Sequence, residues 1–213
     1  TTICIERPSG TGEAVETLQA ESNPFLATIG LRIEPAPTGS GIEFRLQVDG
    51  RTIPLFVYKT AESFTEHMGQ YVRQTLQEGL SGWQVKDCIV TMTHCAYSIP
   101  DGPPSRRGPP STAADFRKLT PIVVMRALQA AGTVVCEPTV RISLEIPTDK
   151  LGAVLPELAR LRGVVETPSL QGKLTTIELV MPAARAHDLQ RQLPGRTGGE
   201  GVLESSFAGY QPV

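Results

Sequence analysis

Histidines, cysteines, hydroxyls and carboxylates are where this chain could do chemistry, and their spacing selects no reaction. His67, His94 and His187 stand far apart, and no Ser-His-Asp or Cys-His set can be picked out, because such sets are defined by geometry. Cys4, Cys88, Cys95 and Cys136 form no C-x-x-C pair. His94-Cys95 with Cys88 is the nearest approach to a metal site, and it lacks further ligands at the usual spacing. No G-x-x-x-x-G-K-[ST] run is present. The glycine-rich run 195–201 precedes a strand rather than a helix N-terminus, so it reads as a turn and not as a phosphate nest. Asp87, Asp101 and Asp115 read as strand-edge, turn and helix-start residues, and Trp83 as core or domain-interface packing. Neither a catalytic residue nor a metal ligand is expected. Arg106-Arg107 leaves two readings open: a solvated pair, or a flexible arm that contacts phosphate.

The elements that position these residues follow from composition and period. The 213 residues are 40% hydrophobic and 20% charged, an ordinary globular composition. A formal net charge of −2 argues against a protein that holds nucleic acid mainly by neutralising phosphates. Reduced, scattered thiols fit a cytoplasmic protein. No apolar run is long enough to span a membrane, and the N-terminus has no secretory pattern. The missing initiator Met and the strand-like opening lead us to expect a piece of a longer protein.

Strands are expected over 2–6, 14–20, 27–34 and 42–48, separated by Pro/Gly/Asn turns. Phe64, Met68, Val72 and Leu76 then recur every four residues, one apolar helix face, with Ser63-x-x-Glu66 as its capping box and Gly79 as its C′ residue. Residues 85–97 read as one strand. The proline-rich stretch 98–110 reads as a long, mobile surface loop. Ser111 or Thr112 caps the next helix, which Pro121 either kinks or divides. In the last third, Val140, Ile142, Leu144 and Ile146 alternate with polar residues, a Leu-rich helix follows, and strands over 164–170 and 174–181 flank the Gln171-Gly172 turn. A helix from Pro182 to about Leu193 and a strand over 202–207 complete βαββαβ, the ferredoxin-like plan. The fold class is therefore α+β, in two small domains that meet near 133–137.

Particular residues carry an identification that periods do not. Asn23-Pro24-Phe25-Leu26-Ala27-Thr28-Ile29-Gly30-Leu31, Gly79-Leu80-x-Gly82-Trp83-x-Val85-x-Asp87-Cys88 and Ser111-Thr112-Ala113-Ala114-Asp115-Phe116-Arg117 through Pro121 resemble runs of the tetracycline ribosomal protection proteins, which are elongation-factor-G-like translational GTPases. Ile5-Glu6-Arg7-Pro8, Gly132-Thr133, Glu137-Pro138 and Gly209-Tyr210 resemble them more weakly. The resemblance implies that residues 1–133 form a domain IV with an S5-domain-2-like fold, and 134–213 a ferredoxin-like domain V. It implies a ribosome-binding chain, acting as a monomer, in which domain IV reaches the 16S rRNA decoding region and domain V the GTPase-associated region of the large subunit. No cofactor is implied for this chain; GTP and Mg belong to the upstream G domain, so the chain itself is not expected to be an enzyme.

The same resemblance makes the two loops at one end of the first domain the contact candidates: Asn23, Pro24 and Phe25 in one, and Tyr97, Ser98, Ile99, Pro100, Arg106, Arg107, Pro109, Pro110 and Ser111 in the other. The second loop is longer than the family's, by 101–110 or by 98–108, so either Ser98-Ile99-Pro100 or Gly108-Pro109-Pro110 takes the drug-site position. Phe25 and Tyr97 either stack on bases or pack together to brace the loops. Three other readings stay open: an elongation factor G-like translocase, a protection-like paralogue with another ribosomal task, and a small-molecule enzyme, since S5-like and ferredoxin-like folds also occur in enzymes.

Overall fold

A computed structural model describes residues 2–99 and 108–213. The chain divides into two compact α+β units, Ile5–Val135 and a smaller one of Thr1–Cys4 with Cys136–Val213. The larger contains β1 (Ile5–Pro8), β2 (Gly12–Glu16), β3 (Ala27–Pro35), β4 (Ile42–Leu46), the single turn α1 (Leu55–Tyr58), α2 (Ala61–Thr75), β5 (Gln84–Val85), β6 (Cys88–Tyr97) and α3 (Ala113–Ala131). Its main sheet runs β2-β3-β6-β4, antiparallel except that β4 lies parallel to β6. Ile29, Leu31 and Ile33 of β3 pack with Val90 and Met92 of β6 against Phe64, Met68 and Val72 of α2 and Phe116, Val123 and Ala127 of α3. This is one alternating strand face meeting two helical stripes. Gly12 is required there, because a Cβ would collide with the Ala127 carbonyl oxygen of α3.

The smaller unit runs β7 (Thr133–Pro147), α4 (Leu151–Arg160), β8 (Val164–Val165), β9 (Ser169–Gln171), β10 (Leu174–Pro182), α5 (Ala183–Thr197) and β11 (Val202–Pro212). Its sheet order is β11-β7-β10-β8, with every neighbouring pair antiparallel and β9 also on β10. This is the ferredoxin-like arrangement. Ile142, Leu144 and Ile146 of β7 and Ile177, Leu179 and Met181 of β10 bury one sheet face under α4 and α5.

Several local expectations change. The strand over 85–97 is two strands, because Asp87 takes φ 60° and breaks it. α2 starts three residues before the Ser63 box. Thr60, extended at φ −131°, accepts a hydrogen bond from the Ser63 N–H and is the true cap, and the helix ends at Leu76 rather than Gly79. α3 continues unbroken through Pro121, with Thr112 as its N-cap. The strand over 164–170 splits at Glu166–Pro168, where Pro168 has no N–H to give the ladder. α5 runs on through Pro194 and Gly195, and the left-handed Gly198 ends it. The 100–107 part of the long loop lies outside the described residues.

Gly79 and Trp83 have backbone roles that the sequence does not display. The Glu6 carboxyl group, fully buried, accepts from the N–H groups of Ser81 (3.0 Å) and Trp83 (2.8 Å) and from the Thr133 hydroxyl (2.8 Å). The Glu6 carbonyl accepts from Lys86 N–H. A Cβ at Gly79 would lie 2.7 Å from Glu6 Oε1. The Gly-Leu-x-Gly-Trp run is thus a loop wrapped around one carboxyl group, and Trp83 itself is only half-buried. Nearby, Asp87 receives Arg7 Nε at 2.7 Å and the Gly41 N–H at 3.1 Å. Burial pushes its carboxyl pKa up, but the hydrogen bonds from Arg7 and from the Gly41 and Gly39 backbones outweigh it, leaving the pKa below the ordinary value.

Two measurements check this bracing. Glu6→Ala leaves two backbone donors and a hydroxyl without their acceptor, so urea unfolding should show a loss of about 3 kcal/mol or more; a change under about 1 kcal/mol would contradict the assignment. Asp87 has a folded pKa below its unfolded one. Its contribution is present above the unfolded value of about 3.9 and is lost as pH falls through the folded value. The stability gap between the natural chain and Asp87→Asn should therefore be full at neutral pH and shrink below about pH 4; a gap independent of pH would contradict it.

Candidate functional site

The start of α3 holds two loops that are remote in sequence. Asp115 Oδ1 accepts from the Leu26 N–H at 3.1 Å, and its Oδ2 accepts from the Thr112 N–H at 2.8 Å and the Thr112 hydroxyl at 3.1 Å. The Ser111 hydroxyl donates to the Leu26 carbonyl and accepts from the Ser98 N–H at 2.7 Å. The Ser111 N–H donates to the Ser98 carbonyl at 2.9 Å. Both backbone polar groups of Leu26 are therefore answered by Ser111 and Asp115, on either side of the Thr112 cap of α3, and Ser98 is fastened to the same point. Ser111 is buried.

Asn23 is also buried, and it shapes the first loop from inside. Its amide donates to the carbonyls of Thr17 (3.0 Å) and Ala27 (2.8 Å), and its side-chain oxygen accepts from the Phe25 N–H (3.0 Å), an Asx turn. The Thr28 hydroxyl closes the loop by accepting from the Leu18 N–H. Pro24 faces solvent, and Phe25 is half-buried against the rim of the core.

Tyr97 owes its direction to a β-bulge. Gly30 pairs with His94 and Leu31 with Met92, so one residue of β6 is extra. Without it, the series Cys88, Val90, Met92 would continue inward through His94 and Ala96. With it, Cys95 and Tyr97 join the inward set, opposite Ile29 and Ala27. His94 lies exposed against Gly30, where a Cβ would meet the ring at 2.6 Å, and it shares a hydrogen bond with Thr93. The Cys95 thiol donates to the Thr52 carbonyl, and burial pushes its pKa up to about 12. It is unsuited to act as a nucleophile near neutrality.

At that edge Tyr97 meets residues 49–58, where the sequence pattern suggests only a hairpin-type turn at Asp49-Gly50 and the structure has Asp49 capping a 3-10 turn, Gly50–Thr52, ahead of α1. The Tyr97 ring lies 5.4 Å from that of Phe56, tilted by 60°, and its hydroxyl is 3.5 Å from the Arg51 carbonyl. Phe56 remains 50% exposed, beside exposed Leu55, and Ile99 is 55% exposed. Gly108, Pro109 and Pro110 face solvent. Pro100, Arg106 and Arg107 lie outside the described residues. The sequence signal for 49–58 was present: an Asp-Gly turn, then Pro54 ahead of Leu-Phe-Val-Tyr, a proline placed before a helical turn. The end of the larger unit thus carries a stiff, partly apolar rim on an internal hydrogen-bond frame. It offers rings and prolines for stacking, and no group of three or more His, Cys, Asp or Glu side chains fit to hold a metal occurs among the described residues.

Comparisons with known proteins bear on both units. The family model described as elongation factor G, domain IV, matches residues 4–132, and that described as elongation factor G C-terminus matches 134–213. An oxytetracycline resistance protein from Streptomyces rimosus is 37% identical over 216 residues, covering 100% of this chain and 30% of that protein. Tetracycline resistance protein TetM from Streptomyces lividans is 40% identical over 213 residues, covering 98% and 30%. The chain therefore spans about 30% of the length of these curated relatives. A solved structure from Thermus thermophilus superposes with a TM-score of 0.79 at 21% identity, covering 100% of this chain and 30% of that one, which speaks for the fold.

Ser111→Ala should release the Ser98 N–H and the Leu26 carbonyl together. One hydrogen bond of about 1 kcal/mol corresponds to roughly fivefold faster amide exchange at Ser98. Exchange at Ser98 unchanged by the substitution would remove Ser111 as the fastener.

Proposed function

We propose a function from one premise: the chain belongs to the elongation factor G family, carrying its domain IV and C-terminal regions in succession. Its curated relatives are tetracycline resistance proteins. In our reading it is the ribosome-facing part of a tetracycline ribosomal protection protein. Residues 1–133 act as domain IV toward the decoding region of the small subunit, and 134–213 act as domain V toward the GTPase-associated region of the large subunit. The parent works as a cytoplasmic monomer. Its GTP and Mg chemistry lies in the part of the relatives' length outside the match.

The observation that carries this reading is the frame at the start of α3. Ser111 and Asp115 present the loop of Pro24 and Phe25 and the loop of Tyr97, Ser98 and Ile99 as one edge. A planar ring or a proline edge stacks on an rRNA base without a sequence-specific hydrogen bond, and it can displace a planar drug by overlap. Asn23 and Ser111 support the edge from inside, while the exposed Pro109 and Pro110 extend it just ahead of Ser111; Pro100, Arg106 and Arg107 stay contact candidates on the resemblance alone. Tyr97 and Phe56 form one ring pair, so truncating Tyr97 also unseats Phe56.

Stacking is worth about 1–3 kcal/mol per base. In the full-length protein, Tyr97→Ala should therefore weaken release of ribosome-bound tetracycline by roughly 5- to 150-fold while ribosome-stimulated GTP hydrolysis persists. Replacing 98–110 with a Gly-Ser linker should have the same signature. Drug release at the natural rate in both variants would take the loops out of the mechanism. Loss of GTP hydrolysis in parallel with release would favour the translocase-like reading.

A further inference from the structure

α2 and α3 each bury one face in the core of the larger unit, and an open groove of about 660 Å³ runs along the outer side of the pair. One stripe from each side lines it: Tyr71, Gln74 and Glu78 in and just after α2, and Arg117, Pro121 and Met125 along α3. The two helices run in the same direction. The Phe64 and Phe116 rings pair at 5.6 Å, and one turn further along each helix the Thr120 hydroxyl meets Met68 Sδ at 3.6 Å. The groove is therefore polarised. Arg117 stands at the end nearer the start of α3, and Glu78 at the end beyond the last turn of α2. Both are exposed, and neither side chain is hydrogen-bonded or ion-paired to a described residue. The helix ends add the same signs, positive at the start of α3 and negative at the end of α2. Between the charges the surface is largely apolar and held in place. The Tyr71 hydroxyl lies 3.1 Å from that of buried Tyr58, and Met125 packs against the core. Pro121 offers a ring and no N–H. Ile122 and Leu80, next in the chain to the lining residues Pro121 and Gly79, are 40% and 39% exposed.

We infer that this groove docks an amphipathic helix of a protein partner, with an acidic side chain at the end that meets Arg117 and a basic one at the end that meets Glu78. The dimensions suit a helix. From Arg117 to Met125 the wall rises about 12 Å, close to the span of apolar anchors at i, i+4 and i+7 on a partner. Two parallel ridges leave a furrow into which the ridge of a third helix packs. The chemistry disfavours other occupants. A phosphate backbone would meet one cation, an apolar floor and a carboxylate. A small molecule would keep one side in water, because no wall closes over the groove. A helix with opposite charges at its two ends answers Arg117 and Glu78 together. Acidic residues favour the first turn of a helix and basic residues the last, so the partner runs parallel to α3. Tyr71 is fastened before the partner arrives, which lowers the ordering cost of contact. The groove shares no residue with the rim, and the inference does not rest on the ribosome reading.

Two short, stapled helical peptides labelled with fluorescein test it. Both carry Leu at i, i+4 and i+7. The first has Glu at its N-terminal end and Lys at its C-terminal end, and the second has these exchanged. Anisotropy measures their binding to the natural 213-residue chain at low salt. The first peptide should bind at least about fivefold more tightly than the second. The double variant Arg117→Glu with Glu78→Lys should reverse that preference. Should the double variant unfold by circular dichroism, Glu78→Lys alone should reduce the preference. No binding of either peptide, equal binding of both, or a preference unaltered by the substitutions would overturn the inference. Displacement of the first peptide by a short RNA hairpin would overturn it in favour of a phosphate ligand. Dimerisation of the natural chain that the first peptide abolishes would overturn it in favour of a second copy. A full-length protein that fails to bind the peptide its 213-residue part binds would overturn it in favour of a segment of the parent.

Discussion

The backbone N–H and C=O of Leu26 carry more of this structure than the residue type suggests. Leu26 lies in a loop, where neither of its polar groups has a strand partner, and an unanswered buried peptide group costs about 1–3 kcal/mol. Asp115 accepts from its N–H and Ser111 donates to its carbonyl. Ser111 also holds Ser98, so two loops separated by more than 70 residues are tied to the first turn of one helix. Asp115 meanwhile keeps its ordinary duty to that turn through the Thr112 N–H. Helix capping and loop positioning are one interaction here, and a change in either disturbs both.

The rim built on this frame is separated from the bracing that stabilises the larger unit. Glu6, Asp87 and Arg7 fasten β1, the turn after α2 and the break between β5 and β6. The bulge in β6 then turns Tyr97 to the side where Phe56 waits. Ionic and hydrogen-bonded groups hold the interior of the loops, while rings and prolines are left facing out. That division suits a surface that stacks on a flat partner, because stacking needs stiffness more than donors.

Much of the architecture was legible because it rests on period. The four-residue recurrence of Phe64, Met68 and Val72 and the alternation of Val140 to Ile146 each follow from one buried face, and both held. What was not legible depended on partners distant in sequence. Ser63-x-x-Glu66 is the better local box, yet Thr60 caps α2, because the left-handed Lys59 ends α1 directly before it. Asp87 looked like an ordinary strand-edge residue, while Arg7 and Gly41 hold it in the conformation that breaks the strand. The extra residue in β6 is invisible to alternation, so Tyr97 could be named but not aimed. Phe56 escaped because a single helical turn has no period to detect. Asp115 was legible as a helix-start residue, but its bond to Leu26, 89 residues away, was not.

The central claim is that the edge framed by Ser111 and Asp115 touches small-subunit rRNA. The most direct measurement is site-specific photo-crosslinking: a benzophenone side chain at position 97 of the full-length protein, activated on ribosomes in the presence of non-hydrolysable GTP. The account predicts crosslinks to rRNA bases of the decoding region, weakened when Ser111 is also changed to Ala. Crosslinks confined to ribosomal proteins or to the large subunit, or crosslinks indifferent to Ser111, would contradict it.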